Sequence, residues 1–371
     1  MTASAAAGVV IIGGGIAGGL LALALRDQGQ PVTLIDAPGP PGVDTATAIS
    51  YGALPGWPLA PTPLARLAAG ASRQWRRLQK RHGELGWRPA RLRVSSGLAR
   101  AISLRLPLPF AQVNAAALTD RLPRVLEAAG VKLAPFRLMD LGPCSTAGWQ
   151  LQLADRSRLV ASCVVLAAGA GCRQLWPSLP QRLRCSWAAV LELPAFPAGL
   201  GPPAAWLPQA FTRVDLERRA GALPQPQWVV DAGLAPWGEG ALLGQHTLIK
   251  PALEAGLAPA ALEVERQLRQ ALGAGPAWSL DLAPLPARLR QAAVAFCTDG
   301  HPLVGPVPAA PGLWLFSGFS AGFSQVPVLA PLLAQQLVAA QGGTDPADQT
   351  ERRLRQLGVW PEGTPGTDRT T

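Results

Sequence analysis

The chain has 371 residues, of which 49% are hydrophobic and 15% are charged, and this permits one large domain or two ordinary ones with a sizeable core. Its five cysteines form no C-x-x-C pair and its three histidines are scattered, so we expect no metal site. The net charge of +10 favours anionic partners in general, but the arginines are spread along the chain. Free thiols and an N-terminus without basic residues predict a cytoplasmic protein rather than a secreted one.

The first predicted elements lie in a run of 21 uncharged residues, Ala5 to Leu25. Its length would allow a membrane span, but its order predicts something else. Val9 to Ile12 is short and β-branched, as in a buried parallel strand. A glycine-rich turn and an Ala/Leu-rich helix ending near Gly29 follow, and a second strand over residues 31–35 ends at Asp36. This order predicts a dinucleotide-binding unit and no membrane span.

Each residue of that unit has a physical task. Gly13 permits the tight turn, Gly15 lets a pyrophosphate approach the backbone, and Gly18 lets the helix lie close to the strand. The N-terminus of the helix offers free N–H groups to the phosphates, and an acid at the tip of the second strand can accept from ribose hydroxyls. The candidate cofactor contacts here are Gly13, Gly15, Ile16, Ala17, Gly18, Asp36 and Ala37.

A basic segment, ASRQWRRLQKRHGELGW, occupies residues 71–87. Leu67, Ala71, Trp75, Leu78 and His82 recur at helical spacing, which places the arginines on the opposite face. This pattern favours an amphipathic helix with a solvated basic face, although nucleic acid as a partner stays open.

Four segments carry a resemblance to a known family. They are the Thr-rich loop TATAISYGAL (45–54), the region 113–171 with its strand ending in Ala-Ala-Gly-Ala-Gly, the segment CTDGHPLVGPV (297–307), and GLWLFSGFSAGF with the helix after it (312–337). Together they resemble the D-amino acid oxidase and glycine oxidase superfamily of FAD-dependent oxidoreductases. The resemblance implies a two-domain α/β (α+β) fold, with a Rossmann-like FAD-binding domain of the glutathione-reductase type and a smaller antiparallel-sheet substrate domain.

The same resemblance suggests the domain boundaries. Residues 1–87, 110–180 and 291–341 would form a discontinuous FAD-binding domain. Residues 88–109 and 181–290 would form the substrate domain. Residues 342–371 would be a polar, loosely held C-terminal tail in which one short helix is possible.

The resemblance also implies further cofactor contacts. The Thr-rich loop would pass along the pyrophosphate and the flavin, and the final helix would point its N-terminus at the flavin edge. We expect non-covalent FAD, because Cys297 does not stand where sarcosine oxidase carries its flavin-linked cysteine. The residues carried over as contacts are Thr45, Thr47, Gly52, Leu138, Ala168, Gly169, Ala170, Gly318, Ser320, Ala321, Gly322, Phe323 and Ser324.

Catalysis in this family passes a hydride from an amine C–H to flavin N5, after which the imine hydrolyses and O2 usually reoxidises the flavin. Amino acid substrates need an arginine clamp for their carboxylate. Relatives place it five residues before the Asp that corresponds to Asp299, and here Val294 stands there. Arg290 would lie on the same strand face, roughly 13 Å away. Arg290 could hold a displaced carboxylate, or it could form an ion pair with another element. Tyr51 could lie over the flavin, or its side chain could only pack within a loop.

Three functions stay open. The first is an FAD-dependent amine or amino acid oxidoreductase with an altered substrate clamp. The second is a flavin-binding protein without amine oxidase activity, with an electron-transfer or interaction role. The third is a tRNA-modifying flavoenzyme, a type that the family includes. The sequence leaves the substrate, the electron acceptor and the oligomeric state open.

Overall fold

The structure, a computed structural model, describes residues 4–5, 8–95, 109–144, 148–208, 211–274, 280–342 and 346–361. Most of the predicted 88–109 segment and the last ten residues of the tail lie outside this part. The strands are β1 Ser4–Ala5, β2 Val9–Ile12, β3 Val32–Ile35, β4 Ala53–Pro55, β5 Trp87–Pro89, β6 Leu92–Ser95, β7 Phe110–Val113, β8 Lys132–Ala134, β9 Leu138–Cys144, β10 Gly148–Leu153, β11 Arg158–Ala161, β12 Cys163–Leu166, β13 Leu183–Leu193, β14 Ala205–Pro208, β15 Gln227–Val230, β16 Leu234–Trp237, β17 Gly240–Ile249, β18 Arg288–Cys297, β19 Leu303–Pro306 and β20 Leu313–Ser317. The helices are α1 Ile16–Arg26, α2 Pro63–Ala68, α3 Ala71–His82, α4 Ala115–Ala128, α5 Cys172–Leu175, α6 Thr212–Arg218, α7 Ala261–Ala274, α8 Gly322–Gly342 and α9 Pro346–Gln356.

The first large sheet has the strand order β19-β20-β12-β2-β3-β8. Its strands pair in parallel except β19, which closes one edge in the antiparallel direction. Strand β2 lies at the centre, and Val9 to Ile12 are at most 4% exposed. Such complete burial is typical of a parallel sheet covered by helices, and it explains the continuous apolar sequence of the strand. This sheet confirms the Rossmann-like part of the predicted fold.

The uncharged run is therefore divided between strand β2 and helix α1. One other helix of the described residues, over 322–340, is long and apolar enough to cross a membrane by length and composition. However, 78% of that stretch is buried inside the protein. It packs against α1, with Leu329 and Leu333 fully buried in the same apolar core as Leu21. We therefore assign α8 to the core of the protein.

The second large sheet has the order β18-β13-β17-β16-β14-β6, and β15 also pairs with β17. Its long strands β13, β17 and β18 are antiparallel, as the predicted substrate domain requires. One face is covered by α7, where Leu268 and Leu272 pack with Leu191 and Leu243. The opposite face meets Ile49 from the Thr-rich loop. The substrate sheet therefore lies against the cofactor-binding half of the molecule on this face.

Two smaller sheets complete the fold. One has the order β1-β11-β10-β9, and the other has the order β4-β7-β5. Helix α3 follows the predicted pattern, since Ala71 and Trp75 are buried while its arginines are exposed. Helix α4 begins at Ala115, because the Asn114 side chain caps it by accepting from Ala117 N–H at 3.2 Å.

The described part of the C-terminal tail is not loosely held. Helix α9 packs on α8, and Leu354 and Trp360 are buried in the core. The backbone N–H of Val304 donates to the carbonyl of Val359 at 2.8 Å, which fixes the segment after the helix to β19. The tail is polar in composition, but its few apolar residues share one side and face the protein.

Candidate active site between the two sheets

The glycine loop between β2 and α1 leaves no room for side chains at two of its positions. A Cβ at Gly13 would lie 2.6 Å from the carbonyl oxygen of Ala167, and Gly13 also has a φ of +109°. A Cβ at Gly18 would lie 1.9 Å from the carbonyl oxygen of Gly13, so the helix touches the loop directly. Gly15 is different, because its nearest neighbour would be the hydroxyl of Thr47 at 3.2 Å. In the direction of a side chain, Gly15 therefore faces open space apart from the Thr47 hydroxyl.

The start of α1 meets the Thr-rich loop at this surface. The backbone N–H of Ile16 donates to Thr47 Oγ1 at 3.1 Å. Thr45 Oγ1 accepts from Ala48 N–H at 3.2 Å, which stabilises the turn. The first N–H groups of a helix have no partner within the helix, and its positive dipole end faces the same way. The loop therefore places a hydroxyl and free N–H groups where the sequence predicted the pyrophosphate.

Asp36 follows β3 directly, as predicted, and lies beside the glycine loop. A Cβ at Gly14 would lie 2.6 Å from its Oδ2, so carboxylate and loop are in contact. Loss of surrounding water raises the pKa of Asp36, while the N–H groups of Gly14 and Ala37 lower it. Its position at the strand end suits a hydrogen bond to ribose.

The segment after β12 lies beside the glycine loop. The N–H of Ala167 donates to the carbonyl of Ile12 at 2.8 Å, and Ala168 borders Gly13. Gly169 and Ala170 come next, and the hydroxyl of Ser317 donates to the carbonyl of Gly169 at 3.3 Å. Leu138, in contrast, is buried in the apolar cluster with Ile35. Its side chain belongs to the core, so only its backbone could reach a cofactor.

The turn between β20 and α8 places the N-terminus of α8 beside the N-terminus of α1. A Cβ at Gly322 would lie 3.9 Å from the side chain of Ile16, at the start of α1. The turn itself consists of Gly318, with a φ of +84°, Phe319, Ser320 and Ala321. Ser324 Oγ donates to the carbonyl of Ala53, close to Gly52, at 3.5 Å. The structure thus brings the segments around residues 13, 47, 52, 169 and 322 together.

Phe323 is the exception in this turn. Its ring stacks on Trp75 with the centroids 6.1 Å apart, and it is 5% exposed. Trp75 Nε1 donates to the carbonyl of Phe323 at 2.8 Å. The side chain therefore points into the core, and the hydrogen bond from α3 fixes the start of α8. No local sequence pattern predicts this bond, because 248 residues separate the two positions.

The face of the substrate sheet that meets this cradle is mostly apolar around Val294. Val294 of β18 is directly opposite Ser186 of β13, and Ala292 is opposite Ala188. Directly paired residues of an antiparallel sheet lie on the same face. Val294 packs with a cluster of hydrophobic side chains: Ile49, Tyr51, Ala188, Val190, Trp237, Leu242 and Ala292. The position expected to carry the carboxylate clamp is thus part of an apolar surface.

Arg290 lies on the same strand face but is already paired. Its Nε donates to Asp44 Oδ1 at 3.1 Å and its Nη1 lies 3.4 Å from Glu192 Oε2. The guanidinium also stacks over the ring of Trp237, 4.5 Å from the centroid. These contacts do not support the interpretation of Arg290 as a displaced clamp and favour the alternative, an ion pair between two elements.

Tyr51 packs against the apolar cluster around Val294. Its hydroxyl donates to the carbonyl of Gly233 at 3.2 Å, and Gln112 Nε2 donates to the Tyr51 carbonyl at 2.9 Å. Burial raises the pKa of Tyr51, and the nearby carboxylate of Asp231 raises it further. Tyr51 is therefore a neutral phenol tied to the substrate sheet, and it is not a proton acceptor.

Asp231, beside Tyr51, is a residue that the sequence analysis missed. It is 4% exposed and accepts from the N–H groups of Thr212 at 2.8 Å and Arg213 at 3.1 Å. It therefore caps α6 from the loop after β15, a role that no local motif could indicate. Burial raises its pKa, against these hydrogen bonds that lower it.

These features together fit a dinucleotide cofactor. The glycines of the loop after β2 expose its backbone, the N-termini of α1 and α8 lie together, and the Asp36 carboxylate lies at the end of β3. The sequence matches the DAO family, described as FAD dependent oxidoreductase, over residues 8–105 and 106–336. The chain belongs to this family of FAD-dependent oxidoreductases.

Individual relatives agree with this family. The chain is 28% identical over 358 residues to the tRNA 5-methylaminomethyl-2-thiouridine biosynthesis bifunctional protein MnmC of Caulobacter sp. (strain K31), covering 89% of this chain and 54% of that protein. The chain spans about half the length of the curated relatives it matches. Among solved structures, iminodiacetate oxidase of Chelativorans sp. BNC1 has a TM-score of 0.67 at 18% identity, covering 96% of this chain and 100% of that one. Glycine oxidase of Bacillus cereus ATCC 14579 has a TM-score of 0.68 at 14% identity, covering 96% and 99%. At these identities the two structures establish the two-domain fold alone.

Proposed function

We propose that this chain oxidises a carbon–nitrogen bond of an amine that is not held by a carboxylate clamp at position 294. The observation that carries this proposal is the apolar cluster around Val294, with Arg290 paired elsewhere. A carboxylate placed against that cluster would lose its hydration without gaining a cationic partner, because the residue opposite Val294 is the neutral Ser186. An uncharged alkyl amine, or an amine whose anionic group lies well away from the reacting carbon, suits the surface better.

The chemistry divides between cofactor and protein. FAD, held by the glycine loop after β2, the Thr45–Thr47 loop and the start of α8, would supply a two-electron acceptor for the carbon beside the amine nitrogen, with O2 as the final oxidant. The resulting imine would hydrolyse with water to a carbonyl compound and a free amine or ammonia. The residues around Ile49 and Tyr51 would exclude water and orient the substrate. No side chain has to remove a proton if the amine binds in its neutral form.

We further propose that the FAD is held without a covalent bond. Burial raises the pKa of the Cys297 thiol to about 12, so it is protonated and a poor nucleophile. A flavin that leaves the protein on acid precipitation is the expected result. Flavin colour that stays with the precipitated chain would contradict this.

A second function, the oxidation of an aminomethyl group on a tRNA uridine, is favoured by a separate observation. The MnmC relatives are similar to this chain over 89% and 83% of its length, and their name refers to that modified nucleoside. A nucleoside substrate would carry its reacting amine on a long arm and its negative charges on distant phosphates.

The experiment is a peroxide-coupled screen of the FAD-loaded protein. We would compare neutral secondary amines with glycine, sarcosine, proline and D-amino acids, and include unfractionated tRNA in a parallel arm. The proposal expects kcat/KM for at least one amine without a carboxylate to exceed that for sarcosine by tenfold or more. A preference for carboxylated amines would contradict it, and a flavin-loaded protein inert to every substrate would favour the role without amine oxidation.

A further inference from the structure

A basic cavity lies outside the cluster around Val294. It has a volume of about 260 Å³ and lies between the start of β13, the end of α6 and the residue after β18. We call it the arginine pocket. Its polar lining residues are Gln181, Arg182, Arg184, Arg218, Arg219 and Thr298.

The arginine pocket contains more positive charge than its surroundings neutralise. Arg182 pairs with Asp299 at 2.6 Å, and Arg218 pairs with Asp215 at 3.2 Å. Within the described part of the chain, neither Arg184 nor Arg219 has a carboxylate oxygen within 4.0 Å. Arg219 donates only to the backbone carbonyl of Asp215, at 3.4 Å. Two guanidinium groups are therefore left without a counter-ion.

Arg184 is the more strained of the two. Its Nη1 donates to the carbonyl of Pro251 at 2.6 Å, while its Nε–H is buried and has no partner among the described residues. Burial lowers its pKa, and no nearby acid opposes that effect. A half-buried guanidinium without an anion costs free energy in the unliganded protein. Binding of an anion would remove part of that cost.

The shape and donors of the pocket favour a phosphate as the anion. Guanidinium groups present paired N–H donors that match phosphate oxygens, and they come here from two different elements. Thr298 and Gln181 add neutral donors. Two unneutralised positive charges match a phosphate better than a single carboxylate. The volume falls slightly below the roughly 300–1,000 Å³ of drug-sized ligand sites, which suits a phosphate with part of its sugar.

The pocket is also close to the candidate active site along the chain. Thr298 follows Cys297, whose Sγ would lie 2.5 Å from a Cβ at Gly318 in the turn before α8. The overall charge of +10 also attracts a polyanion to the protein surface.

We propose that the arginine pocket is a phosphate-binding site that takes a backbone phosphate of RNA, with a small phosphate ester as the other source of the same group. This inference does not depend on which amine is oxidised. It requires only that a phosphate occupies the space between Arg184 and Arg219.

The test measures binding to the FAD-loaded protein, without turnover. Fluorescence anisotropy with a tRNA-length RNA, at several salt concentrations, would compare wild type with Arg184→Gln and Arg219→Gln. Inorganic phosphate would be titrated separately by calorimetry. Arg124→Gln is the control, because Arg124 is exposed on α4, outside the pocket, and loses the same charge. Arg219 is exposed, so its variant keeps the test valid if Arg184→Gln folds poorly.

We expect each pocket variant to weaken RNA binding at least fivefold relative to Arg124→Gln and to reduce the salt slope by about one. Phosphate binding that disappears in both pocket variants, without RNA binding, would support the site and identify a small ester as its source. The proposal is overturned if neither pocket variant changes RNA or phosphate binding more than Arg124→Gln does. Activity on amines plays no part in these outcomes, so they are independent of the proposed oxidation.

Discussion

Arg290 on β18 donates to the carboxylate of Asp44, and this contact joins the substrate sheet to the loop that leads into Thr45 and Thr47. The N–H of Asp44 also donates to the carbonyl of Gln291 at 2.8 Å, so backbone and side chain hold the same junction. Trp237 of the substrate sheet also holds the Thr-rich loop, because its Nε1 donates to the carbonyl of Ala48 at 2.8 Å. An arginine that could be read as a substrate clamp therefore holds the cofactor loop in place.

The first prediction follows from this junction. Arg290→Gln should lower the free energy of unfolding by about 2 kcal/mol, between the values for surface and fully buried pairs, because both partners are mostly buried. It should also weaken FAD binding, since the loop before Thr45 loses its anchor. The KM for any carboxylated substrate should change less than twofold. Arg288→Gln, an exposed position on the same strand, is the control, and a selective rise in KM would restore the clamp hypothesis.

Two glycines of the first loop should behave differently when replaced by alanine. At Gly18 the new methyl group would overlap the carbonyl of Gly13, so we expect a loss of at least about 2 kcal/mol of stability even without cofactor. At Gly15 the only close neighbour is Thr47 Oγ1, so the apoprotein should stay within about 1 kcal/mol of wild type.

The same Gly15→Ala protein should bind FAD at least tenfold more weakly, because the methyl group would stand where a pyrophosphate approaches the backbone. Denaturant unfolding of the apoproteins and FAD titration by flavin fluorescence would measure the two effects separately. Equal losses of apoprotein stability in the two variants would show that the surface at Gly15 is not open to a ligand.

Local patterns made the cofactor half of the fold predictable. The strand, the spaced glycines, the helix and Asp36 lie within 28 consecutive residues, 9–36, and each has its own stereochemical signature. The tail shows where composition misleads. Helix α9 is rich in polar residues, yet Leu354 alone is enough to place one side of it in the core.

The substrate side was less predictable because its contacts join distant residues. Arg290 and Asp44 are 246 positions apart, and the pairing of Val294 with Ser186 depends on the register of two long strands. Nothing in either local sequence specifies that register. The sequence indicated that an expected arginine was missing at Val294, but only the sheet pairing shows that the neighbouring side chains are apolar as well.

Stability should depend on pH through His246. This side chain is 3% exposed, lies against Trp228 with the ring centroids 4.2 Å apart, and has no partner for Nδ1 in the described residues. Burial lowers its pKa from 6.5 to about 4, opposed weakly by the backbone at Val264. Below pH 6.5, His246 is therefore protonated in the unfolded chain but stays neutral in the folded chain. Stability should fall as the pH is lowered from about 6.5 to 4, by about 2–3 kcal/mol from this residue.

The measurement is the free energy of unfolding at pH 7, 5.5 and 4.5 for wild type and His246→Phe. The phenyl ring keeps the stacking on Trp228 and cannot be protonated, so the variant should lose less stability on acidification. Subtracting the two curves removes the contribution of the carboxylates. Parallel curves for the two proteins would rule out His246 as a source of acid sensitivity.

The final prediction concerns the substrate preference of the apolar face. Val294→Arg would place a guanidinium opposite Ser186, on the face that meets Ile49 and Tyr51. A fixed guanidinium pairs with a carboxylate through two hydrogen bonds, so the ratio of kcat/KM for sarcosine to that for a neutral amine should rise at least tenfold. Ala293→Arg is the matched control, because a shift of one residue moves the side chain to the opposite face of the sheet.

Both variants would first be compared with wild type in flavin content and unfolding midpoint. If Val294→Arg is folded and loaded with FAD yet leaves the ratio unchanged, or if Ala293→Arg raises it equally, then position 294 does not face the reacting substrate. In that case the reason for the missing clamp has to be sought on another element of the site.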